Sequence, residues 1–357
     1  MSRAATQIRV ESSPRKPRLG FVGLGWIGRN RLQSVAEAGV AEISAIHDVQ
    51  ASAVDEAQKL AHDAVLFSEF KELLDHDLDG VVIATPNSFH AEQSIAALER
   101  GIAVFCQKPL GRNAFETRRI VDAARRADRL LEVDLSYRAI PAMQSVRDFV
   151  ESGELGNVFA VDAKFHNGYG PDKAWFRDFS LSGGGCMLDL GSHLLDLALR
   201  PLGFPQITQV QSSLFANGNL LAKGAEEVED YGVATIETAD ATVINLSCCW
   251  NLNIGRDADI EIAFYGTHGG AKLRNVDGSF YDFVGERFSG TKTEMLSSPE
   301  DGKWQWGALA TIEWIKRLGV DGKFDPDAER FVSLAEVIDS IYGRSPAKAQ
   351  RRKENSA

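Results

Sequence analysis

From Arg18 onward, short runs of apolar, often β-branched residues alternate with longer stretches of helical period. The runs are Leu19 to Val22, Ile43 to Ile46, Val81 to Ala84, Ile102 to Phe105 and Leu130 to Leu135. Between them lie segments such as His90 to Leu98, where Ala91, Ile95 and Leu98 recur at the spacing of one helix face. Unbroken apolar strands are buried on both faces, and helices between them supply the crossovers that parallel pairing requires. The pattern predicts βαβ units and a doubly wound parallel sheet over residues 18–135.

After about Ser136 the rhythm changes. A helix carrying Met143, Val146 and Phe149 on one face stops at Ser152-Gly153, and a strand follows from Val158 to Phe165. A polar, glycine-rich stretch from Asn167 to Gly185 leads into an apolar helix from Cys186 to Leu199. Between Ile207 and Phe283 the chain reads as long strands with turn signals at Thr238-Ala239-Asp240 and Gly266 to Gly270, and with no helical period among them. Strands without intervening helices favour antiparallel pairing, so residues 136–345 are expected to form an α+β domain with a mostly antiparallel sheet. Helices from Trp304 to Leu318 and from Asp327 to Tyr342 close it. Residues 1–17, with Arg3, Arg9, Arg15 and Lys16, and residues 346–357, with Lys348, Arg351, Arg352 and Lys353, read as solvated tails.

Length and composition narrow the function classes. A chain of 357 residues, 44% hydrophobic and 25% charged, fits two globular domains. Its 39 basic and 50 acidic side chains leave a net charge of -11, which argues against nucleic-acid binding and suits a soluble cytoplasmic protein. Cys106, Cys186, Cys248 and Cys249 show no metal-ligand spacing, so reduced thiols and no metal centre are expected. The N-terminus lacks the apolar core of a signal peptide, and no apolar run approaches the roughly 18 residues of a membrane span, so no membrane partner is expected.

Candidate chemistry begins at Gly23-Leu24-Gly25-Trp26-Ile27-Gly28, a GxGxxG that directly follows the first strand and opens a helix. The first glycine permits the tight turn, the second lets backbone approach a pyrophosphate, and the third allows close helix packing. Asp48 ends the second strand about twenty residues on, where a carboxylate hydrogen-bonds the ribose hydroxyls of NAD. Val49-Gln50-Ala51 offers no Arg or Lys for a 2′-phosphate, so this Rossmann pattern favours NAD over NADP. Thr85-Pro86-Asn87-Ser88-Phe89-His90 and Cys106-Gln107-Lys108-Pro109 follow later strands, at the carboxyl edge where open α/β sheets bind ligands.

The second informative stretch runs from Gly183 to Asp196. Its leucines cover most of a helix, leaving one polar stripe of Asp189, His193, Asp196 and Arg200. Asp189 and His193 stand one turn apart, so the carboxylate is expected to orient the imidazole. An oriented histidine is what reversible proton transfer to an alcohol oxygen requires, although a satisfied buried histidine is an equal alternative on these residues alone.

GLGWIG at Gly23, ATPNSFH from Ala84, KP at Lys108, ESGELG from Glu151 and GGGxxxDxGxHxxD from Gly183 together resemble the glucose-fructose oxidoreductase, inositol dehydrogenase and MocA family. The resemblance covers nearly the whole chain. It implies a Rossmann domain joined to an α/β domain with a large, mostly antiparallel sheet that mediates homodimers or homotetramers. It also implies NAD(P)-dependent oxidation or reduction of a secondary alcohol of a sugar, inositol or related polyol. Lys108, Asp189 and His193 are then the catalytic candidates: His193 takes the hydroxyl proton, Lys108 stabilises the alkoxide, and Asp189 holds His193. Gly23, Gly25, Trp26, Ile27, Gly28, Asp48, Thr85, Asn87, His90, Gln107 and Lys108 are expected at the cofactor. Asn167 and Trp175 are expected to join Lys108, Asp189 and His193 at the substrate, with Tyr137, Arg138, Lys164, His166, Tyr169 and Arg177 as further candidates.

One departure stands out, because the family usually reads Glu-Lys-Pro and this chain has Gln107-Lys108-Pro109. Two other functions fit the same residues: NAD-dependent glycoside hydrolysis on this fold, and a non-catalytic sugar or cofactor sensor.

Overall fold

A computed structural model describes residues 15–299 and 308–344. The first sheet contains β1 (Arg18–Val22), β2 (Glu42–His47), β3 (Val65–Leu66), β4 (Gly80–Ile83), β5 (Ala103–Gln107) and β6 (Leu131–Asp134). All its pairings are parallel, in the order β3-β2-β1-β4-β5-β6. Its crossovers carry α1 (Trp26–Ala38), α2 (Ala51–Gln58), α3 (Phe70–Leu74), α4 (Asn87–Leu98) and α5 (Ala114–Ala127). The continuous burial of β4 and β5 matches their unbroken apolar runs, since helices cover both faces. The order reverses beside β1, which places the glycine loop at the switch point where such sheets bind ligands.

The second sheet comprises β7 (Val158–Asn167), β8 (Ile207–Ala216), β9 (Asn219–Leu220), β10 (Tyr231–Thr238), β11 (Val243–Cys249), β12 (Ala258–Gly266), β13 (Gly270–Asn275), β14 (Phe283–Ser289) and β15 (Lys292–Ser297). Its order is β15-β14-β13-β12-β7-β11-β10-β8-β9, and only the β7–β11 pair is parallel. Val161, Ala163 and Phe165 of β7 are buried, and alternate with Asp162, Lys164 and His166 on the outer face. The inner face packs against α6 (Pro141–Glu151), α8 (Cys186–Asp189), α9 (Gly191–Leu199) and α11 (Glu329–Ile341), while α7 (Phe179–Ser182) lies against α4.

Three expectations change. The helix expected over Cys186 to Leu199 is two helices with Leu190 between them. The helix expected from Trp304 runs as α10 (Ala308–Val320), residues 304–307 lying outside the described residues, and it packs on the first sheet. There the Trp314 ring lies 5.4 Å from that of Phe105. Arg15, grouped with the tail, forms two hydrogen bonds to Asp79 at 2.7 and 2.8 Å. The four cysteines are free and buried, and burial pushes the Cys106 thiol up to about 12.

Candidate active site

The glycine loop has the shape of a phosphate cradle. Gly23 has φ +83°, and a Cβ on Gly28 would lie 1.9 Å from the Gly23 carbonyl oxygen, so turn and helix packing both exclude side chains. A Cβ on Gly25 would meet nothing within 4 Å, which leaves open space at the start of α1 for a pyrophosphate. Asp48 accepts the Leu24 N–H at 2.5 Å and the Gln50 N–H at 2.7 Å, holding its carboxylate beside this loop. Trp26 is 54% exposed at the mouth. These residues fit a dinucleotide.

Lys108 follows β5 and reaches across to α8. Its ammonium donates to the Asp189 carbonyl at 3.0 Å and forms an ion pair with Asp189 Oδ1. The other carboxylate oxygen, Oδ2, accepts the Trp250 indole N–H at 3.1 Å. The same contacts explain the break between α8 and α9. In a continuous helix the Asp189 carbonyl would accept the His193 N–H; here Lys108 takes that carbonyl, and His193 N donates to Leu190 O at 3.1 Å.

His193 lies one turn further on, 5% exposed, with its ring 4.9 Å from that of Tyr137 in an edge-to-face contact. Its Nδ1 is buried and without a hydrogen-bond partner. The expected Asp189–His193 pair is therefore not formed, because both Asp189 oxygens are engaged by Lys108 and Trp250. Burial, with Lys108, Arg138 and Arg31 nearby, holds the imidazole well below its usual pKa. It is neutral at neutral pH.

The remaining candidates divide. Asn167 follows Phe165 on the inner face, and its Oδ1 is buried without a partner. Trp175 stacks on Phe176 at 3.8 Å, and Phe176 meets Trp250 edge-on at 6.1 Å, forming an aromatic wall that leads to Asp189. Arg177 reaches toward Gly170 and Asn251, and Tyr169 is exposed beside Phe280. Lys164 and His166 lie on the outer sheet face, where Lys164 pairs with Asp259 at 3.0 Å and His166 contacts Ser247 at 2.7 Å. Tyr137 is buried against His193, Phe165 and Phe283. Arg138 is a structural cation, bound to Asp196 through two hydrogen bonds and to Glu132.

His90 lies behind the cofactor edge. It is wholly buried between the carbonyls of Pro109 at 2.7 Å and Thr85 at 2.8 Å, so it ties two loops together from beneath. Thr85 Oγ1 donates to Gln93, and Asn87 Nδ2 donates to Ser182 O at 2.8 Å, linking α4 to the second half of the chain. Gln107 turns inward and donates to Asp134, which also binds Arg31 at 2.6 Å.

Sequence reasoning missed Trp250, Glu229 and Tyr342. Trp250 follows two buried cysteines and reads as core; its one polar atom leaves no periodic signal. Glu229 sits in an acidic run that reads as solvated, yet it is wholly buried. Its carboxylate accepts Gly185 N at 2.9 Å, Met187 N at 2.8 Å and the Tyr342 hydroxyl at 2.6 Å, anchoring α8 beneath Asp189.

Residues 17–135 match the family described as "Oxidoreductase family, NAD-binding Rossmann fold", and residues 143–272 match the "GFO/IDH/MocA C-terminal domain". The chain belongs to the GFO/IDH/MocA oxidoreductase family. Among the relatives in this family is D-glucoside 3-dehydrogenase of Escherichia coli (strain K12), 32% identical over 55% of this chain and 58% of that protein. Rhizopine catabolism protein MocA of Rhizobium meliloti is 32% identical over 50% of this chain and 55% of that protein. The aligned stretches thus span a little over half of each relative. A solved structure of levoglucosan dehydrogenase with NADH and levoglucosan shares the GFO/IDH/MocA fold, with a TM-score of 0.77 over 92% of this chain and 96% of that one at 23% identity.

Proposed function

We propose that the protein is an NAD-dependent dehydrogenase or reductase acting on a secondary alcohol of a sugar, inositol or related polyol. The observation that carries this is the Lys108–Asp189 ion pair beside neutral, buried His193, at the same sheet edge as the glycine loop. Bound NAD supplies the acceptor for the hydride leaving the carbinol carbon. Lys108 offers charge and hydrogen bonds to the hydroxyl oxygen, stabilising it as it becomes an alkoxide. His193 accepts the hydroxyl proton, for which it must begin neutral. Asp189 holds Lys108 rather than His193. The Trp175–Phe176 stack suits the C–H face of a sugar ring, while Asn167 supplies an acceptor for a hydroxyl. The Asp48 carboxylate at the glycine loop supports NAD over NADP, since it would repel a 2′-phosphate.

Formation of reduced nicotinamide across inositols, aldoses, glycosides and anhydrosugars, with NAD and NADP compared, tests this reading. We expect turnover with NAD that falls by about 10²–10³-fold in Lys108→Ala and His193→Ala, with NAD binding little changed in His193→Ala. Near-native turnover in either variant overturns the assignment. We also propose that a second copy covers the outer sheet face, where Phe159 at the start of β7 is 53% exposed. Light scattering should then give a dimer or tetramer, and a monomer would contradict it.

A further inference from the structure

The Asp189 carboxylate has two partners to choose between. Lys108 approaches from the end of β5, and His193 lies in the first turn of α9 with Nδ1 buried and unpaired. Asp189 closes α8 just before it, Lys108 acts on both residues, and leaving a buried ring nitrogen unpaired is unfavourable. The carboxylate nevertheless serves Lys108. What distinguishes its two oxygens is Trp250, whose indole N–H holds Oδ2 at 3.1 Å while Lys108 holds Oδ1. The indole is itself fixed. It is 2% exposed, its ring meets Phe176, and its backbone N–H donates to Asp230 O at 2.7 Å.

We propose that Trp250 is a positioning residue that selects between the two pairings, keeping the Asp189 carboxylate on Lys108 and away from His193. The inference rests on the proposed roles of Lys108, Asp189 and His193. With Trp250 in place, Asp189 stays paired with Lys108, and His193 remains a neutral proton acceptor. The groups acting on the imidazole are Lys108 from β5, Arg138 from the turn Ser136–Ala139 and Arg31 from α1, all cations. Tyr137 contributes an aromatic ring, and Asp196 on the same helix is held by Arg138. Asp189 is therefore the carboxylate whose arrival would reverse the balance at His193. Trp250→Phe removes the donor but keeps an aromatic ring, freeing Oδ2 to turn to Nδ1 and stabilise an imidazolium.

The test is the titration of His193 in the full-length protein labelled at histidine, with its resonance assigned through His193→Gln. In wild type the ring should stay neutral well below the ordinary histidine range. In Trp250→Phe its midpoint should rise by about one pH unit or more, and the acid limb of kcat/KM should move up with it. Trp250→His, which retains a ring N–H, should return the midpoint toward wild type, and Asp189→Asn should abolish the effect of Trp250→Phe. An unchanged midpoint in folded Trp250→Phe overturns the proposal, as does an equal shift in Trp250→Phe and Trp250→His. If Trp250→Phe fails to fold, Trp250→His alone and with Asp189→Asn decides: the proposal predicts a near-wild-type midpoint in both, and a raised one in either overturns it. The titration needs neither substrate nor NAD. A protein inactive on every polyol but with this histidine response would remove the proposed function and leave the positioning role standing.

Discussion

At residue 107 an amide replaces the carboxylate of the usual Glu-Lys-Pro, and a buried neighbour accounts for the exchange. Gln107 donates to Asp134, whose side chain is fully buried and already paired with Arg31. A glutamate there would set two carboxylates against one guanidinium, and one of them would hold a proton. Its folded pKa would lie above the unfolded value near 4.3, so stability is greatest at low pH and lost as pH rises through the raised pKa. Gln107→Glu should therefore lose about 2 kcal/mol more at about pH 8 than at about pH 5, read by urea unfolding. Equal losses at both would show that the carboxylates do not share a proton. His193 has the opposite sign. Its folded pKa is depressed, so the stability it contributes is present above the unfolded value near 6.5 and lost as pH falls. His193→Gln should flatten that acid-side loss by up to about 1.4 kcal/mol per pH unit between about pH 6.5 and 5. Parallel curves for the two proteins would place a charged imidazole in the fold.

The element that carries the chemistry is short and would not hold its position alone. Helix α8 is four residues long, and its N-terminus is gripped by Glu229 and Tyr342. A Cβ on Gly185 would lie 1.8 Å from the Glu229 carbonyl oxygen, and one on Gly184 would lie 2.3 Å from the Tyr342 hydroxyl. The glycine run before the helix is thus a consequence of close approach rather than of flexibility. Burial pushes the Glu229 carboxyl up, against the pull of its hydrogen bonds. Tyr342→Phe, which removes one donor, should cost about 1–3 kcal/mol. Thermal or urea unfolding within experimental error of wild type would mean that the hydroxyl contributes nothing to the anchor.

Across the whole molecule, a chain of ion pairs joins the parallel sheet to helices α9 and α10. Glu132 of β6 binds Arg138 at 3.2 Å and Arg317 of α10 at 3.0 Å; Arg138 continues to Asp196 of α9 at 2.8 Å. Asp196 is buried, with Arg200 as a further partner at 3.5 Å. Arg138→Met should cost about 3–5 kcal/mol, because it removes both close hydrogen bonds to a buried carboxylate and leaves it only the longer contact to Arg200. The exposed Arg118–Glu336 pair is the control, where Arg118→Met should stay within about 1 kcal/mol. Similar losses in the two variants would show that burial does not set the worth of the Asp196 contact.

Most of the architecture was legible in one dimension. Unbroken apolar runs with helical spacers predict the parallel sheet because strands covered on both faces need no polar positions, and the later strands without helices predict the antiparallel one. The glycine loop and Asp48 were equally readable, because their chemistry is local: a turn, a helix N-terminus and the end of the next strand. Pairings between distant segments were not. The helix face brings Asp189 and His193 together on paper, yet Lys108, from 81 residues earlier, and Trp250, from 61 residues later, take the carboxylate and break the helix between α8 and α9. Strand alternation shows that Lys164 and His166 share a face, but which face meets the cleft depends on the helices packed against the sheet. Spacing along the chain limits which side chains are neighbours within an element. Packing between elements settles which neighbour each polar atom bonds, because a buried donor or acceptor takes whichever partner the packed elements bring within reach.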